Sequence, residues 1–313
     1  MDALTVKRIL EVSIAFLVLL ILNIACWKIR KKLINKAAGM GVIAGQVLGS
    51  IVVLMMLAAY ILTDSILYYP HFNKAAYIQL HEIENLEELE LDTPVGTCAG
   101  WMYHSIYEAD ATIILFPGNM FTSEEMIGYS TGFDSGNDQK GINMITLDYP
   151  GYGRSDGIPT EHTMKVMALS AYDEIISRSD MQNQKIILMG YSLGTGIANY
   201  VASKRDVDGL ILMAPYQNGY DLFNGFFDIF HGPWKLLNPY RMRADKFAQT
   251  IKVKPFLMAS KDDELISYES SLALSEKYPL GCDVKLYDGF DHGGFWQEQC
   301  VWEAIFQYIS ENV

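Results

Sequence analysis

The chain has 313 residues, of which half are hydrophobic and 19% are charged, and its formal net charge is -13. This composition excludes a disordered chain, because sequences that cannot bury a core are highly charged and poor in hydrophobic residues. Residues 1–63 contain seven Lys or Arg and two acidic residues, which leaves 17 and 35 for residues 64–313. A body this acidic argues against a nucleic-acid partner.

Four cysteines are scattered along the chain, which is too few for a disulfide framework. Cys98, Cys282 and Cys300 are most simply small buried residues, and a bridge between Cys282 and Cys300 is left open. No Cys-x-x-Cys or His-Glu-x-x-His motif occurs, so the sequence predicts no metal site.

Two apolar stretches without charge begin the chain, at residues 12–27 and 37–63. The apolar character of the first stretch begins earlier, at Ile9, and is interrupted only by Glu11. A membrane span needs about 20 residues, so two spans in a hairpin over residues 1–63 are the favoured interpretation. A signal peptide is the alternative for the first stretch, but a second apolar stretch follows it at once.

The orientation of this hairpin is predicted from the charges between the two stretches. Five basic residues and no acidic residue lie there: Lys28, Arg30, Lys31, Lys32 and Lys36. Because positive charge marks cytoplasmic loops, the hairpin tip is predicted inside and residues 64–313 on the extracytoplasmic face. Lys7 and Arg8, which precede the first stretch, favour the opposite orientation. We therefore expect a multi-pass cell-membrane protein that has the membrane as a partner.

A mostly parallel α/β sheet is predicted for residues 64–313, because apolar runs of strand length alternate with helical segments. A hairpin of residues 89–92 and 97–103 comes first. The further strands are predicted at residues 111–116, 142–147, 185–189, 209–213, 255–259 and 284–287, and the helices at 161–178, 197–203, 268–277 and 295–310.

One long segment interrupts this alternation, between the strand ending near Met213 and the strand starting near Pro255. It is rich in aromatic residues, and segments of this length inside a compact domain are usually lids or insertions. We predict a lid at about residues 216–250, in which most of the aromatic side chains pack inward.

The segment Gly190-Tyr191-Ser192-Leu193-Gly194 is a Gly-x-Ser-x-Gly motif between an apolar strand and a helix-compatible stretch. A strand that turns sharply into a helix would hold Ser192 on a strained corner. The two flanking glycines, without Cβ atoms, would let the strand and the helix approach each other. Because the same pentapeptide also occurs in ordinary loops, a catalytic role for Ser192 requires partners.

A serine hydroxyl needs a base to remove its proton, and the base needs an acid to orient it. His292 follows the predicted strand 284–287, and the adjacent Asp262 and Asp263 follow the predicted strand 255–259. These positions are at strand C-terminal ends, where open α/β sheets place their sites. The sequence predicts His292 as the base, while spacing alone does not separate the two aspartates.

Charge that develops on a tetrahedral intermediate requires preorganised donors, each worth about 2.7–4 kcal/mol. Leu193, directly after the serine, supplies one backbone N–H. The second candidate is the N–H of Asn119, which lies in the turn Phe116-Pro117-Gly118-Asn119 after an apolar strand. An ordinary strand-to-helix turn is the alternative role for that segment.

These motifs resemble the α/β-hydrolase superfamily over residues 86–312. The order of the segments carries the resemblance: 116–119, 147–157, 190–194, 262–266 and 291–293. The chain is most similar to the membrane-anchored ABHD-type serine hydrolases, which include lipid hydrolases and protein depalmitoylases. The resemblance implies an α/β-hydrolase fold with a short helical lid after the sixth strand, and its acid motif places the aspartate at Asp263. Pro117 and Pro150 depart from the family, which usually has His and Arg there.

The expected function is that of a membrane-tethered serine hydrolase with Ser192, His292 and Asp263 as its triad. It would cleave carboxylic esters or thioesters of small acyl or lipid-like substrates, and no cofactor is needed because water resolves the acyl-enzyme. Two alternatives stay open: a serine peptidase of the same fold, and a non-catalytic membrane protein that uses the fold for binding.

Overall fold

The computed structural model of the protein describes residues 3–32, 36–130, 141–226, 228–238 and 240–312. The chain divides into two compact units, Met1–Ile66 and Leu67–Val313. This division falls three residues after the end of the predicted hairpin.

The first unit contains the long helix α1 (Ala3–Lys32) and all of the long helix α2 (Lys36–Leu67) except its last residue, Leu67, which belongs to the second unit. They are linked by polar contacts, since Asn23 bonds to Gln46 and donates to the Ser50 hydroxyl at 3.3 Å. Large apolar side chains such as Leu48 and Met55 are exposed on the second helix. Judged over the described residues alone, no helix has the combination of length and apolar character that crossing a bilayer requires. The predicted transmembrane hairpin is thus not supported by the structure.

The second unit is built on one eight-stranded sheet, with the order β1-β2-β4-β3-β5-β6-β7-β8. Strands β1 and β2 pair antiparallel, as do β2 and β4, and every other pair is parallel, so the predicted mostly parallel sheet is confirmed. The strands are β1 (Leu86–Thr93), β2 (Gly96–Tyr103), β3 (Ala109–Phe116), β4 (Gly141–Leu147), β5 (Lys185–Tyr191), β6 (Gly209–Met213), β7 (Phe256–Ser260) and β8 (Asp283–Tyr287).

Helices flank this sheet: α3 (Lys74–Leu80), α4 (Ser123–Met126), α5 (Glu161–Ser177), α6 (Leu193–Ala202), α7 (Gly219–Asn224), α8 (Ala244–Ala248), α9 (Tyr268–Ser275) and α10 (Gln299–Asn312). The side chain of Thr160 caps the N-terminus of α5. Helix α6 begins directly after Ser192, four residues earlier than predicted. Helix α10 begins later than predicted, because a 3₁₀ turn at His292–Trp296, capped by the Asp291 side chain, precedes it.

The central strands are buried on both faces, as their continuous apolar runs predict. All seven residues of β4 and the last six of β3 are buried. Strand β4 lies on one side of β3 in the sheet, and β5 lies on the other side. The direction in which successive strands are added therefore reverses between β3 and β5. Phe116 at the end of β3 pairs with Gly190 near the end of β5. Ligand sites of open α/β sheets lie at such reversals.

The predicted lid contains α7, a 3₁₀ helix at Gly232–Leu237 and α8. Tyr216, Phe223 and Tyr240 are fully buried, whereas Trp234 is half exposed. Most of the lid aromatics described therefore pack inward, as predicted. Phe227 lies outside the described residues.

The cysteines do not form the bridge that the sequence left open. Cys282 and Cys300 are both free thiols. Cys98 is buried in the core, as expected, but Cys282 is only partly buried and the prediction that Cys300 is buried is wrong, because its side chain is exposed.

Candidate active site

Ser192 lies at the corner where β5 turns into α6, as the motif predicts. Its backbone has φ 51° and ψ -118°, in the region that favours glycine. Backbone strain of this kind costs about 1–3 kcal/mol and persists only where the surroundings impose it. Here the neighbouring strand β6 helps to impose it, because the Ser192 N–H donates to the carbonyl of Met213 at 2.9 Å.

The glycines on either side of the corner are required by close backbone contacts. A Cβ on Gly190 would lie 2.6 Å from the Cα of Thr195 in α6, and a Cβ on Gly194 would overlap the carbonyl oxygen of Phe116. The turn after β3 therefore lies directly against the first turn of α6. A larger residue at Gly190 would push β5 away from α6, and a larger residue at Gly194 would push α6 away from the turn that carries Asn119.

His292 lies in the loop after β8, and its two ring nitrogens contact two different side chains. Nε2 is 2.9 Å from the Ser192 hydroxyl, and Nδ1 is 2.7 Å from a carboxylate oxygen of Asp263. Both contacts are satisfied when Nδ1 carries the proton and Nε2 accepts from the serine. The structure thus brings together three side chains that are up to 100 residues apart in sequence.

The structure separates the two aspartates that spacing could not. Asp263 has a buried side chain, and its second carboxylate oxygen accepts from the N–H groups of Leu265 and Ile266 at 2.9 and 2.8 Å. Asp262 instead accepts from the N–H of Gly289 at 2.6 Å. Asp263 therefore faces the imidazole, and Asp262 links the loops after β7 and β8.

Tyr191, the residue before the serine, contacts His292 in two ways that the sequence did not predict. Its ring stacks on the imidazole with centroids 5.2 Å apart, and its hydroxyl donates to the His292 carbonyl at 2.7 Å. Burial, with nearby Asp263, raises the pKa of Tyr191, so the hydroxyl stays a donor. Tyr191 occupies a variable position of the Gly-x-Ser-x-Gly motif, so no sequence pattern indicates these contacts.

The two predicted oxyanion donors lie on the two segments that meet at the corner. Leu193 is the first residue of α6, and Asn119 is buried in the turn after β3. Among the described residues, none accepts a hydrogen bond from either backbone N–H. Both groups are therefore available to an anionic oxygen, and the N-terminus of α6 favours negative charge.

A second buried acid lies beside this turn. Asp148 follows β4 and accepts from both the N–H and the hydroxyl of Ser123, at 2.7 and 2.8 Å. Burial, followed by the neighbouring Glu124 carboxylate, raises the pKa of Asp148 to about 7. Burial likewise raises the pKa of Glu124.

Known proteins resemble the chain in sequence and in structure. Residues 111–255 match a family described by the alpha/beta hydrolase fold. The alpha/beta hydrolase domain-containing protein 17C of Xenopus tropicalis is 24% identical over 239 residues, which cover 74% of this chain and 72% of that protein. The lysophosphatidylserine lipase ABHD12 of Macaca fascicularis is 32% identical over 145 residues, which cover 41% of this chain and only 36% of the lipase. The Pyrococcus furiosus esterase Pf2001 superposes with a TM-score of 0.60 at 16% identity, covering 78% of this chain and 98% of the esterase.

Proposed function

We propose that this protein, whose fold is that of the α/β hydrolases, is a serine hydrolase that cleaves carboxylic esters or thioesters of acyl or lipid-like substrates. The observation that carries the proposal is the continuous line of contacts from Ser192 through His292 to Asp263, at 2.9 and 2.7 Å. A hydroxyl, an imidazole and a carboxylate in this order form a nucleophile, a base and an orienting acid.

The reaction would proceed through an acyl-enzyme. Ser192 Oγ attacks the acyl carbonyl while His292 Nε2 takes its proton, and Asp263 stabilises the resulting imidazolium. The N–H groups of Asn119 and Leu193 bind the oxyanion. His292 then gives the proton to the leaving oxygen or sulfur. Water attacks the acyl-enzyme while His292 takes its proton, and His292 then returns that proton to Ser192 Oγ as the acid is released.

The preference for acyl or lipid-like substrates rests on the lid and on the relatives. The Tyr216 hydroxyl donates to the carbonyl of Leu193 at 3.0 Å and pairs with the Tyr240 hydroxyl at 2.9 Å. An aromatic lid thus contacts the residue that supplies one of the oxyanion donors. One relative is a lysophosphatidylserine lipase and one structural neighbour is an esterase.

An ester substrate series tests the proposal. We expect the full-length protein to hydrolyse p-nitrophenyl acyl esters, and Ser192→Ala to lower kcat by at least about 10⁴-fold. Ser203→Ala is the matched control, because Ser203 follows the C-terminal end of the same helix and its hydroxyl donates to the Tyr200 carbonyl. Faster cleavage of aminoacyl p-nitroanilides would favour a peptidase instead. A folded protein that cleaves neither would favour a binding role.

The N-terminal unit is proposed to attach the enzyme to a membrane, with the hydrolase unit on the extracytoplasmic side. Support comes from the uncharged stretch 37–63, from the five basic residues before it and from the exposed apolar side chains of α2. Alkaline extraction of cell membranes should leave the protein in the pellet, and protease added to intact cells should degrade the hydrolase unit. Release by alkali would refute attachment, and protection from protease would reverse the orientation.

A further inference from the structure

We infer that the Asn119 side chain and the Tyr152 hydroxyl are positioning groups for the oxyanion turn, defined here as residues 116–119, and that the Leu67 carbonyl anchors them. The inference rests on the proposed function. It assigns roles to atoms outside the triad and outside the two donor N–H groups. Neither the motif at Ser192 nor the turn sequence indicates these partners.

The Asn119 side chain is held at both ends. Its Nδ2 donates to the Leu67 carbonyl at 2.7 Å, and the Tyr152 hydroxyl lies 2.9 Å from both its Oδ1 and its backbone oxygen. The N–H of Tyr69 in turn donates to the Tyr152 hydroxyl at 3.0 Å. A single hydroxyl thus links Asn119 to the segment that follows α2.

These groups lie where water cannot replace a lost hydrogen bond. Tyr152 is fully buried, and Asn119 and Leu67 are each at most 5% exposed. A buried polar group left without its partner costs about 1–3 kcal/mol, so the turn would move to recover the contact. Burial also raises the pKa of Tyr152, which keeps the hydroxyl protonated and able to donate.

The oxyanion turn has a second support from the same segment of chain. The Tyr149 hydroxyl donates to the carbonyl of Pro117 at 2.8 Å, and the Tyr149 and Tyr152 rings pack edge to face with centroids 5.8 Å apart. The turn is therefore fixed through the carbonyl of Pro117 and through both ends of Asn119. This leaves the N–H of Asn119 as a donor with a defined direction.

The Leu67 carbonyl is itself fixed by its neighbour. Tyr68, next in the chain, is buried and packs edge to face against Phe223 and Tyr240 of the lid, with centroids 6.4 and 6.0 Å apart. Residues 67–69 therefore contact both the oxyanion turn and the lid. A shift of residues 67–69 would therefore move Asn119 and change the direction of its backbone N–H.

The expected kinetic effect is specific to the transition state. An oxyanion donor acts only if it already points to the position that the charged oxygen will occupy, and a misplacement of about 1 Å can cost 10²-fold in rate. Because the ground-state carbonyl makes little use of that donor, a loosened turn should lower kcat and leave KM nearly unchanged.

The test is Tyr152→Phe in the full-length protein, with Tyr172→Phe as the matched control. Tyr172 is also a buried tyrosine, and its hydroxyl bonds to the Asp206 carbonyl at 2.6 Å. We expect Tyr152→Phe to lower kcat for a p-nitrophenyl ester by at least about tenfold with KM within about twofold. Tyr172→Phe should leave both constants unchanged. The melting temperatures of both variants, measured in parallel, show how much the loss of each buried hydroxyl lowers stability.

A second variant tests the other end of the link. Asn119→Asp keeps the shape of the side chain but cannot donate to the Leu67 carbonyl, and its charge would repel the oxyanion, so we expect kcat to fall by about 100-fold. An active wild type with kcat of Tyr152→Phe within twofold, or an equal loss in Tyr172→Phe, would overturn the positioning role. A folded wild type that cleaves no ester would refute the proposed function itself, and with it this role.

Discussion

The corner at Ser192 and the loops that carry Asp263 and His292 are held in different ways. The corner is fixed by backbone contact, since Gly190 and Gly194 leave no space for a Cβ. The loops are fixed by hydrogen bonds, such as the one that the Ser260 hydroxyl donates to the Phe290 carbonyl at 2.6 Å. We therefore expect substitutions that add a side chain to disturb the corner, and substitutions that remove a polar group to disturb the loops.

The largest effect is expected in the loops, from Asp263→Asn. The amide can still accept from the N–H groups of Leu265 and Ile266, but it cannot stabilise the imidazolium of His292, so kcat should fall by about 10⁴-fold with little change in stability. Asp262→Asn is the control and should stay within about threefold of wild type in the same ester assay. An equal loss in both variants would mean that loop geometry matters rather than the charge at Asp263.

A smaller effect on rate, but a larger one on stability, is expected at the corner from Gly194→Ala. The added Cβ would overlap the Phe116 carbonyl oxygen, so the oxyanion turn must shift. We expect urea denaturation to show a loss of about 1–3 kcal/mol, and kcat to fall by about 100-fold. Gly128→Ala, whose Cβ would have no described atom within 4 Å, should change neither. Normal activity in Gly194→Ala would show that the corner tolerates crowding.

The smallest effect on rate is expected at Asp148, which follows β4, because its raised pKa concerns the pH dependence of stability. The folded protein keeps a proton up to a pKa of about 7, whereas the unfolded chain releases it near the ordinary value of 3.8. This contribution to the free energy of unfolding is fully present below pH 4 and is lost as the pH rises towards 7, by at most about 1.4 kcal/mol per pH unit. Between pH 4 and 7, the free energy of unfolding of Asp148→Asn, measured by urea denaturation, should decline less steeply with pH than that of the wild type. Glu124 should cause the decline that remains. An unchanged slope would contradict the raised pKa.

The fold and the positions of most residues in the candidate site could be predicted from the sequence, because the signals are local. Apolar runs of strand length give the buried strands, and the glycines around Ser192 give the corner. His292 follows a strand whose C-terminal end must reach the same edge of a parallel sheet as the end of β5.

The parts that could not be predicted depend on contacts between distant residues. Asp262 and Asp263 are adjacent in sequence and differ only in the partner that each meets after folding. The contacts of Asn119 with Leu67 and Tyr152 join positions 52 and 33 residues apart, and no periodicity reports such pairs. Helix boundaries near Ser192 and His292 shifted for a related reason, since a strained serine and the Asp291 cap decide where α6 and α10 begin.

The central claim is that Ser192 is the nucleophile, and covalent labelling tests it most directly. The folded protein is treated with a fluorophosphonate probe, and the modified peptide is identified by mass spectrometry. We predict one adduct on Ser192, which is absent from Ser192→Ala and formed at the wild-type rate by Ser203→Ala. An adduct on another residue, or labelling that persists in Ser192→Ala, would contradict the account.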